Sequence, residues 1–349
     1  ALRECAAAGI RTVMITGDYP GTARSVARTL GLPGAEECLT GAEMAALSEE
    51  ELRERVKRTN VFARMVPAQK LRLVHALKAN GEVVAMTGDG VNAAPALKAA
   101  HIGIAMGLRG TDVARESASL VLLDDDFASI VQAVRLGRRI FDNLRKAVAF
   151  VISVHVPIAG AAFFPVLLGW PLLLYPAHLV FMELIVDPIC SIAFAGEAEE
   201  ADLMRRRPRR SEDGLFTWGT WITSILHGAG VLGAVLLSFF VGREQGLSEV
   251  EARALAFGTL VVGALTLVLI NRSGSAGWTS IVRRFSPTMA GLMGAALLLL
   301  CVVLYVPWVS TLFRVGSPDG SGLVLIGVAG LASALWSITL GRVRRMRPR

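Results

Sequence analysis

The sequence predicts an α/β domain with a doubly wound parallel sheet, followed by an all-α transmembrane domain of six helices. Two passages, Arg11–Asp18 and Glu82–Asp89, each contain a short apolar strand that ends in Thr-Gly-Asp and precedes a helical pattern. Strands that alternate with helices predict a parallel sheet with its site at the carboxyl ends of the strands. Residues 147–341 contain apolar stretches of about 20 residues, the length that crosses a bilayer.

The first domain is predicted to cover residues 1–133. Its predicted strands include Arg11–Thr16, the apolar run Val83–Met86, and a further short strand at Val61–Arg64. The charged segment Ala35–Asn60 is predicted to be helical. These elements alternate along the chain, as a doubly wound fold requires.

An amphipathic stalk helix, residues 134–146, is predicted to lead into the transmembrane domain, residues 147–349. The six predicted spans are 147–168, 171–195, 217–241, 254–271, 288–308 and 321–341. Arginines concentrate after the second span, after the fourth span and in the tail, at Arg205–Arg210, Arg272, Arg283, Arg284 and Arg342–Arg349. The positive-inside rule therefore predicts a multi-pass protein, expected in a bacterial plasma membrane, with its head and carboxyl tail in the cytoplasm.

Composition narrows the function classes. The chain has 349 residues, 53% of them hydrophobic, which is too apolar for an ordinary soluble protein and makes the lipid bilayer an expected partner. The formal net charge is +7, but the largest arginine clusters lie between and after membrane spans, so no nucleic-acid partner is expected. The four cysteines have neither metal-type spacing nor a disulfide framework.

The most informative stretch is Thr87–Lys98, which directly follows the strand Val83–Met86. Its two glycines allow a sharp turn and a close approach of the backbone to a ligand. Asp89 offers a carboxylate to a hard cation such as Mg²⁺, and Asn92 offers a neutral amide to a phosphate oxygen. The segment therefore indicates phosphate and metal chemistry.

Six motifs in order resemble those of P-type cation-transporting ATPases. They are Met14–Asp18, Arg64–Lys70, Thr87–Lys98, Ile102–Gly107, Gly110–Val113 and Val121–Asp125. The resemblance implies a HAD-like phosphorylation domain, of which residues 1–133 are the distal part, and the use of ATP and Mg²⁺. It also implies that the phosphorylated aspartate, the nucleotide-binding domain and the first membrane spans lie in a missing amino-terminal part, an expected partner. The chain alone is then expected to be inactive.

The resemblance also assigns roles in the phosphorylation domain. Thr16 and Gly17 would present a hydroxyl and an N–H to a phosphoryl group, and Lys70 would add a positive charge that stabilises it during transfer. Asp18 would be a nucleotide-side or hinge residue. The alternative for these residues is structural: Thr16 and Asp18 would cap the next helix, and Lys70 would be solvated.

By the same resemblance, Asp89 is a Mg²⁺ ligand and Asn92 contacts phosphate. The departure is Ala93, where members of the family usually have a second aspartate that helps to hold the metal geometry. A methyl group can neither coordinate Mg²⁺ nor accept hydrogen bonds from its waters. This substitution puts catalytic competence in question.

The second predicted span contains Glu183 and Asp187, which are four residues apart and would share one face of a helix. Ionised groups inside a membrane are costly, so two on one face indicate an ion path, the alternative being protonated acids bonded to neighbouring helices. Pro188 and Pro157 can each free a backbone carbonyl at a similar depth. His155, in the first span, is a candidate ligand, proton-exchanging group or structural hydrogen bonder.

The sequence thus predicts the carboxyl-terminal part of an ATP-driven P-type pump for a cation, with an aspartyl-phosphate formed upstream. The two acids favour a divalent cation, Ca²⁺ before Mn²⁺ or H⁺ exchange. One alternative is a degenerate or truncated non-catalytic paralogue that acts in binding or assembly. A membrane-anchored phosphatase is the third, but it would require its own nucleophilic aspartate upstream.

Overall fold

A computed structural model describes residues 1–209, 214–215, 217–273 and 287–346. Its account of side chains also excludes Ile185, Asp187, Cys190, Ser273 and residues 342–346. The predicted topology signals Arg210, Arg283, Arg284, Arg347 and Arg349 therefore lie outside the described residues. The chain divides into two compact units, the first formed by Ala1–Arg139 with Glu199–Glu212 and the second by Ile140–Ala198 with Asp213–Arg349.

The first unit contains two parallel sheets of three strands each. Its strands are β1 (Met14–Ile15), β2 (Cys38–Thr40), β3 (Val61–Ala63), β4 (Ala85–Gly88), β5 (Ile102–Met106) and β6 (Leu120–Leu122). The strand orders are β1-β3-β2 and β4-β5-β6. Met14 pairs with Val61, and Gly88 pairs with Ala105. The predicted parallel arrangement is confirmed, but in the described residues β1 and β4 each have a strand on one side only.

Short helices connect these strands. They are α1 (Leu2–Ala7), α2 (Pro20–Thr29), α3 (Gly41–Ala46), α4 (Glu49–Val56), α5 (Pro67–Ala79), a 3₁₀ turn (Val91–Ala93), α6 (Ala94–Ala99), α7 (Asp112–Ser117) and a 3₁₀ turn (Leu203–Arg205). Local sequence explains several starts: α2 and α5 begin with proline, and Thr40 and Ser48 each form a capping box with a glutamate three residues later.

The prediction for residues 35–60 is wrong in one respect, because this segment contains strand β2 before the helices α3 and α4. Only three residues long, β2 gives too short an alternation to be recognised among charged neighbours. Leu39 of β2 is buried together with Leu52 and Phe62, so tertiary packing fixes the strand. The predicted strand at 61–64 is confirmed as β3.

Helix α5 packs against both sheets. Leu73 on α5 belongs to the apolar cluster beneath β3, and Val74 belongs to the cluster beneath β4 and β5. Leu77 of α5 and Ile15 of β1 pack against both clusters. The carboxyl ends of β1, β3 and β4 are therefore held in one compact unit.

The membrane-type helices follow. They are α8 (Phe127–Leu168), α9 (Pro176–Phe181), a π-helical turn (Met182–Val186), α10 (Asp187–Ala195), α11 (Trp218–Glu244), α12 (Glu249–Ser273), and the helices Pro287–Tyr305, Pro307–Phe313 and Gly320–Met346. Among the described residues, five helices are long and apolar enough to cross a membrane. The chain is a multi-pass membrane protein. The remaining predicted span, the second (171–195), is helical from Pro176 onward, but the π turn divides it into three short segments.

Helix α12 forms the centre of the second unit. Its most apolar window is 72% buried, compared with 28–39% for the other four long helices. Phe257, Leu260 and Leu267 of α12 are fully buried. Thr259 donates a hydrogen bond of 3.0 Å to Ser238 of α11, and both side chains are buried. The neighbouring helices therefore bury their apolar faces against α12.

Glycine permits a close approach between α11 and α8. A Cβ atom on Gly228 of α11 would lie 2.3 Å from the carbonyl oxygen of Ser153 on α8, whereas a Cβ atom on Gly233 would have no atom within 4 Å. We expect Gly228→Val to lower the free energy of unfolding by about 1–3 kcal/mol, since it forces the two backbones apart. Thermal unfolding of the detergent-solubilised chain would measure this loss.

The matched control is Gly233→Val, which makes the same chemical change on the same helix. Because its site is open, it should shift the unfolding temperature far less than Gly228→Val. Equal shifts in the two variants would show that helix propensity, and not the contact with α8, dominates.

Candidate functional site

Hydrogen bonds between Thr16 and Asp18 stabilise the loop after β1. The Thr16 hydroxyl donates a hydrogen bond of 2.8 Å to the Asp18 carboxylate and accepts one of 3.1 Å from the Asp18 N–H. The following helix α2 begins after Tyr19, and no side chain caps it. Thr16 and Asp18 therefore do not cap α2, which was the structural alternative for them, and Gly17 is exposed between them.

The loop after β3 is held against the loop after β1. The N–H groups of Met65 and Arg64 donate to the carbonyl oxygens of Thr16 and Asp18, at 3.1 Å each. Arg64 has a φ of +56°, a left-handed conformation that is uncommon for a residue other than glycine. These paired loops fix the start of α5, which carries Lys70.

Gln69 helps to hold the start of α5, a role that sequence reasoning missed. Its Oε1 accepts a hydrogen bond of 3.1 Å from the Val66 N–H, and its Nε2 donates one of 2.7 Å to the Gly41 carbonyl oxygen. A Cβ atom on Gly41 would lie 2.5 Å from this Oε1, so the approach requires glycine. Gln69 thereby locks the first turn of α5 directly beside Lys70, whose side chain is half-buried.

The loop after β4 places Asp89 and Asn92 in solvent and Ala93 in the core. Asp89 and Asn92 are exposed, and the Asp89 carbonyl oxygen accepts a hydrogen bond of 2.7 Å from the Thr111 N–H. Ala93 is only 4% exposed. A Cβ atom on Gly88 would lie 2.4 Å from the Ala93 methyl carbon, which explains why glycine ends this strand.

The donor chemistry at this loop fits Mg²⁺ in part. Asp89 supplies an accessible carboxylate and Asn92 an amide oxygen, and Mg²⁺ is usually held by one or two carboxylates together with waters and phosphate oxygens. Ala93 supplies no donor. Within the described part of the chain, no group of three or more His, Cys, Asp or Glu side chains could hold a metal ion.

Asp125, after β6, organises the neighbouring loop after β5. Its side chain is 6% exposed and accepts hydrogen bonds from the N–H groups of Leu108 and Arg109, at 3.0 and 2.8 Å, and from the Arg109 guanidinium at 3.2 Å. Desolvation by burial opposes ionisation, but these hydrogen bonds outweigh it and hold the pKa of Asp125 below its ordinary value. Asp125 also has a positive φ of 54°.

A second candidate site lies in the membrane-type unit. His155 of α8 and Glu183 of the π turn face each other, with 3.5 Å between Nε2 and Oε1. The other ring nitrogen, Nδ1, lies 2.8 Å from the carbonyl oxygen of Val151. The side chains of His155 and Glu183 are 47% and 55% exposed within the chain. Sequence reasoning placed both residues in this site, and the structure brings them together.

The regular helix predicted around Glu183 is interrupted. Met182–Val186 forms a π-helical turn, and α10 begins at Asp187 with Pro188 as its second residue. The four-residue spacing of Glu183 and Asp187 therefore does not have the geometry of an α-helix, and the Asp187 side chain lies outside the described part of the chain. π-Helical turns are rare and occur frequently at functional sites. Only Pro188 signalled an irregularity in the sequence.

Comparison with known proteins agrees with this two-part organisation. Residues 1–101 match the haloacid dehalogenase-like hydrolase family, and residues 171–343 match the family described as cation transporting ATPase, C-terminus. A calcium-transporting ATPase of Bacillus subtilis is 38% identical over 341 residues, which cover 96% of this chain and 38% of that protein.

Two further relatives have similar names. A calcium-transporting ATPase of Listeria monocytogenes is 41% identical over 78% of this chain and 31% of its own length. An endoplasmic reticulum calcium ATPase of Aspergillus fumigatus is 43% identical over 63% of this chain and 23% of its own length. The chain thus spans less than two-fifths of these relatives.

The hydrogen bonds to Asp125 generate a prediction for the loop after β5. We expect Asp125→Ala to speed amide hydrogen exchange at Leu108 and Arg109 at least tenfold at neutral pH, because both N–H groups lose their acceptor. Exchange in the full chain, measured by mass spectrometry, would test this. Glu116→Gln, a change at an exposed carboxylate elsewhere on the same unit, is the control and should leave exchange unchanged.

The pH dependence has a defined sign. A lowered pKa means that ionised Asp125 contributes stability above the ordinary aspartate pKa of about 3.9, and that this contribution is lost as the pH falls through the lowered value. The difference in exchange between Asp125→Ala and the parent chain should therefore be large at pH 7 and shrink in acid below about pH 4. A difference that is constant with pH would contradict the role of the ionised carboxylate.

Proposed function

Because this chain belongs to the P-type cation-transporting ATPases, we propose that it forms the carboxyl-terminal part of an ATP-driven pump for a divalent cation, with Ca²⁺ as the first candidate. The observation that carries the proposal is the pairing of His155 on the membrane-type helix α8 with Glu183 in the π turn of the following span. An ionised side chain at the centre of a membrane helix costs at least about 2.5–3.5 kcal/mol. At this cost, two facing ionisable side chains fit a cation path better than a purely structural contact.

The side chains of His155 and Glu183 are about half-exposed within this chain. This exposure supports a site that further protein covers in the complete pump. Half-exposed ionisable groups cannot face hydrocarbon without cost, so Glu183 and His155 require protein or a water-filled path beside them. The proposed neighbours are the first membrane spans, from the part of the pump outside this sequence. Asp187, close in sequence, is proposed as a further ligand of the transported cation.

The phosphate chemistry is proposed for the carboxyl ends of β1 and β4. Thr16 and Gly17 would bind a phosphoryl group, Lys70 would neutralise its charge and Asn92 would contact its oxygen. Asp18 would be a nucleotide-side or hinge residue, ATP being the phosphoryl donor. Mg²⁺, when bound at Asp89, would neutralise charge on the transferring group.

The aspartyl nucleophile is proposed to come from a strand outside this sequence. β1 and β4 belong to different sheets within one compact unit, and each has a strand on one side only among the described residues. Both strands end in Thr-Gly-Asp, so a parallel strand between them would bring its own carboxyl end to these loops. This arrangement supports an aspartyl-phosphate mechanism in the complete pump.

Orientation and partners follow as proposals. The arginine-rich loops and tail favour a cytoplasmic head and carboxyl terminus, in a bacterial plasma membrane. The proposed partners are the transported cation, the bilayer and the amino-terminal part of the same pump, with no role for nucleic acid.

The second candidate is a non-catalytic paralogue that acts in binding or assembly. One observation favours it: the Ala93 methyl group is buried against Gly88, where the family usually supplies a second carboxylate near the metal.

Ala93→Asp decides between the two candidates in the full-length protein. If Ala93 limits catalysis, we expect the aspartate variant to form at least tenfold more acid-stable phosphoenzyme from labelled ATP, with a stronger dependence on Mg²⁺, because it adds a carboxylate beside Asp89. Ala93→Asn, which adds a side chain of similar size without charge, is the control. Efficient turnover of the parent pump, at about 10 s⁻¹, with no gain from aspartate would show that alanine is compatible with catalysis.

Removing charge at the membrane site tests the cation path. We expect Glu183→Gln and Asp187→Asn to raise the cation concentration for half-maximal phosphorylation of the full-length pump more than tenfold, about 1.4 kcal/mol or more. His155→Ala should change the cation preference or the pH dependence instead. Titrations with Ca²⁺, Mn²⁺, Mg²⁺ and Zn²⁺ would measure both effects.

The control for these variants is Glu244→Gln, at the end of the neighbouring helix α11, which should leave cation affinity unchanged. Unchanged affinity in both Glu183→Gln and Asp187→Asn would place the cation path elsewhere and leave the two acids as hydrogen-bonding groups.

A further inference from the structure

Residues 176–195, the span that the π turn divides and here called the broken span, are held to α12 at both ends by arginines. Arg253, in the first turns of α12, is 3% exposed and donates 2.9 Å from Nε to the carbonyl oxygen of Leu172, just before α9. Arg272, in the last turn of α12, donates 2.5 Å from Nε to Glu197, just after α10. The two arginines are nineteen residues apart, which corresponds to about 28 Å along a helix.

The contact at the Arg253 end is reinforced by aromatic and backbone groups. Its guanidinium lies 4.9 Å from the centre of the Tyr175 ring, and Nη1 donates 2.6 Å to the carbonyl oxygen of Arg314. The guanidinium of Arg314 lies 4.7 Å from the same ring. Tyr175 immediately precedes α9, so this cluster fixes the position at which the broken span begins.

The contact at the Arg272 end is a buried ion pair. The side chains of Glu197 and Arg272 are 1% and 11% exposed. The Glu197 carbonyl oxygen also accepts 3.1 Å from the Asn143 side chain, which is buried on α8. The end of the broken span is thereby tied both to α12 and to the helix that carries His155.

Between these two ends lies the π turn with Glu183. A π turn departs from the regular hydrogen-bond ladder of an α-helix and is one of the usual places where a helix changes direction. Since α12 is the most buried of the long helices, it provides a fixed reference for both ends. Between its two anchored ends the span therefore departs from α-helical winding at Met182–Val186.

We propose that Arg253 and Arg272 are positioning residues that clamp the two ends of the broken span to α12 and thereby set the depth and rotation of Glu183 opposite His155. The inference depends on the proposed cation path for its effect on transport, but the clamp itself is a property of the second unit. Neither arginine contacts the proposed cation. Both act through the position of the π turn.

The first test measures cation affinity in the full-length pump. Arg272→Gln and Glu197→Gln should each raise the cation concentration for half-maximal phosphorylation at least fivefold, while the maximal phosphoenzyme per folded pump stays within twofold of the parent. The double variant should be no worse than either single variant, because the two residues act as one pair. Arg272→Lys keeps the charge and should recover most of the affinity. Arg243→Gln, at the end of α11, is the control.

The second test does not depend on turnover. Hydrogen exchange in peptides that cover Met182–Val186 should be at least fivefold faster in Arg272→Gln and Arg253→Gln than in the parent and in Arg243→Gln. Unchanged exchange would overturn the clamp, even in a pump that is never phosphorylated. Faster exchange with no cation-dependent phosphorylation of the parent would uphold the clamp and refute the proposed function. If the variants keep the cation affinity of the parent but reach a lower maximal phosphorylation, the two arginines and Glu197 have only a role in folding.

Discussion

The second unit depends on one constraint: a polar or charged group placed among membrane helices must find its partner within the protein. α12 meets this requirement for much of the unit, since Arg253, Thr259 and Arg272 each donate a hydrogen bond to a different neighbouring element. These contacts are directional and add to the van der Waals packing between the helices. They therefore help to define which helix lies beside which.

The same constraint explains how the broken span is accommodated. A π turn and a proline leave backbone groups outside the regular ladder, which hydrocarbon does not tolerate unless protein or water is near. Here the turn is bounded by α9 and α10, and Met182 and Val186 are buried against the central apolar cluster. Glu183 faces away from that cluster and remains half-exposed. One side of the turn thus belongs to the core and the other to the site.

Periodicity in the sequence predicted the parts that follow a repeating pattern. The long apolar helices were found because their pattern continues over many residues, and the strands that end in Thr-Gly-Asp because an apolar run meets a repeated motif. β2 was missed because Cys38–Thr40 is a short run among charged neighbours with no motif beside it, and its identity comes from pairing with β3. The π turn was missed because a one-residue change in winding leaves composition unaltered.

The residues of the candidate sites also divide into those that a sequence pattern indicates and those that it does not. Thr16, Asp89 and Glu183 lie in recognisable stretches of sequence, and their proposed roles come from those patterns together with the family resemblance. Gln69 and Asp125 act through contacts with Gly41 and Leu108, which are 28 and 17 residues away in sequence. No local pattern specifies such pairs, because they exist only after the strands have brought the loops together.

At position 93, the packing of the fold and the proposed metal chemistry favour different side chains. Its methyl group is buried in the cluster beneath β4 and β5 and fills the space that Gly88 leaves open. A carboxylate that starts from this position would have to reach solvent or find donors, since an unpaired buried charge is costly. Alanine therefore suits the packing at least as well as aspartate does. It follows that the fold of this loop persists without the second carboxylate, and that any effect of alanine falls on the metal site proposed at Asp89.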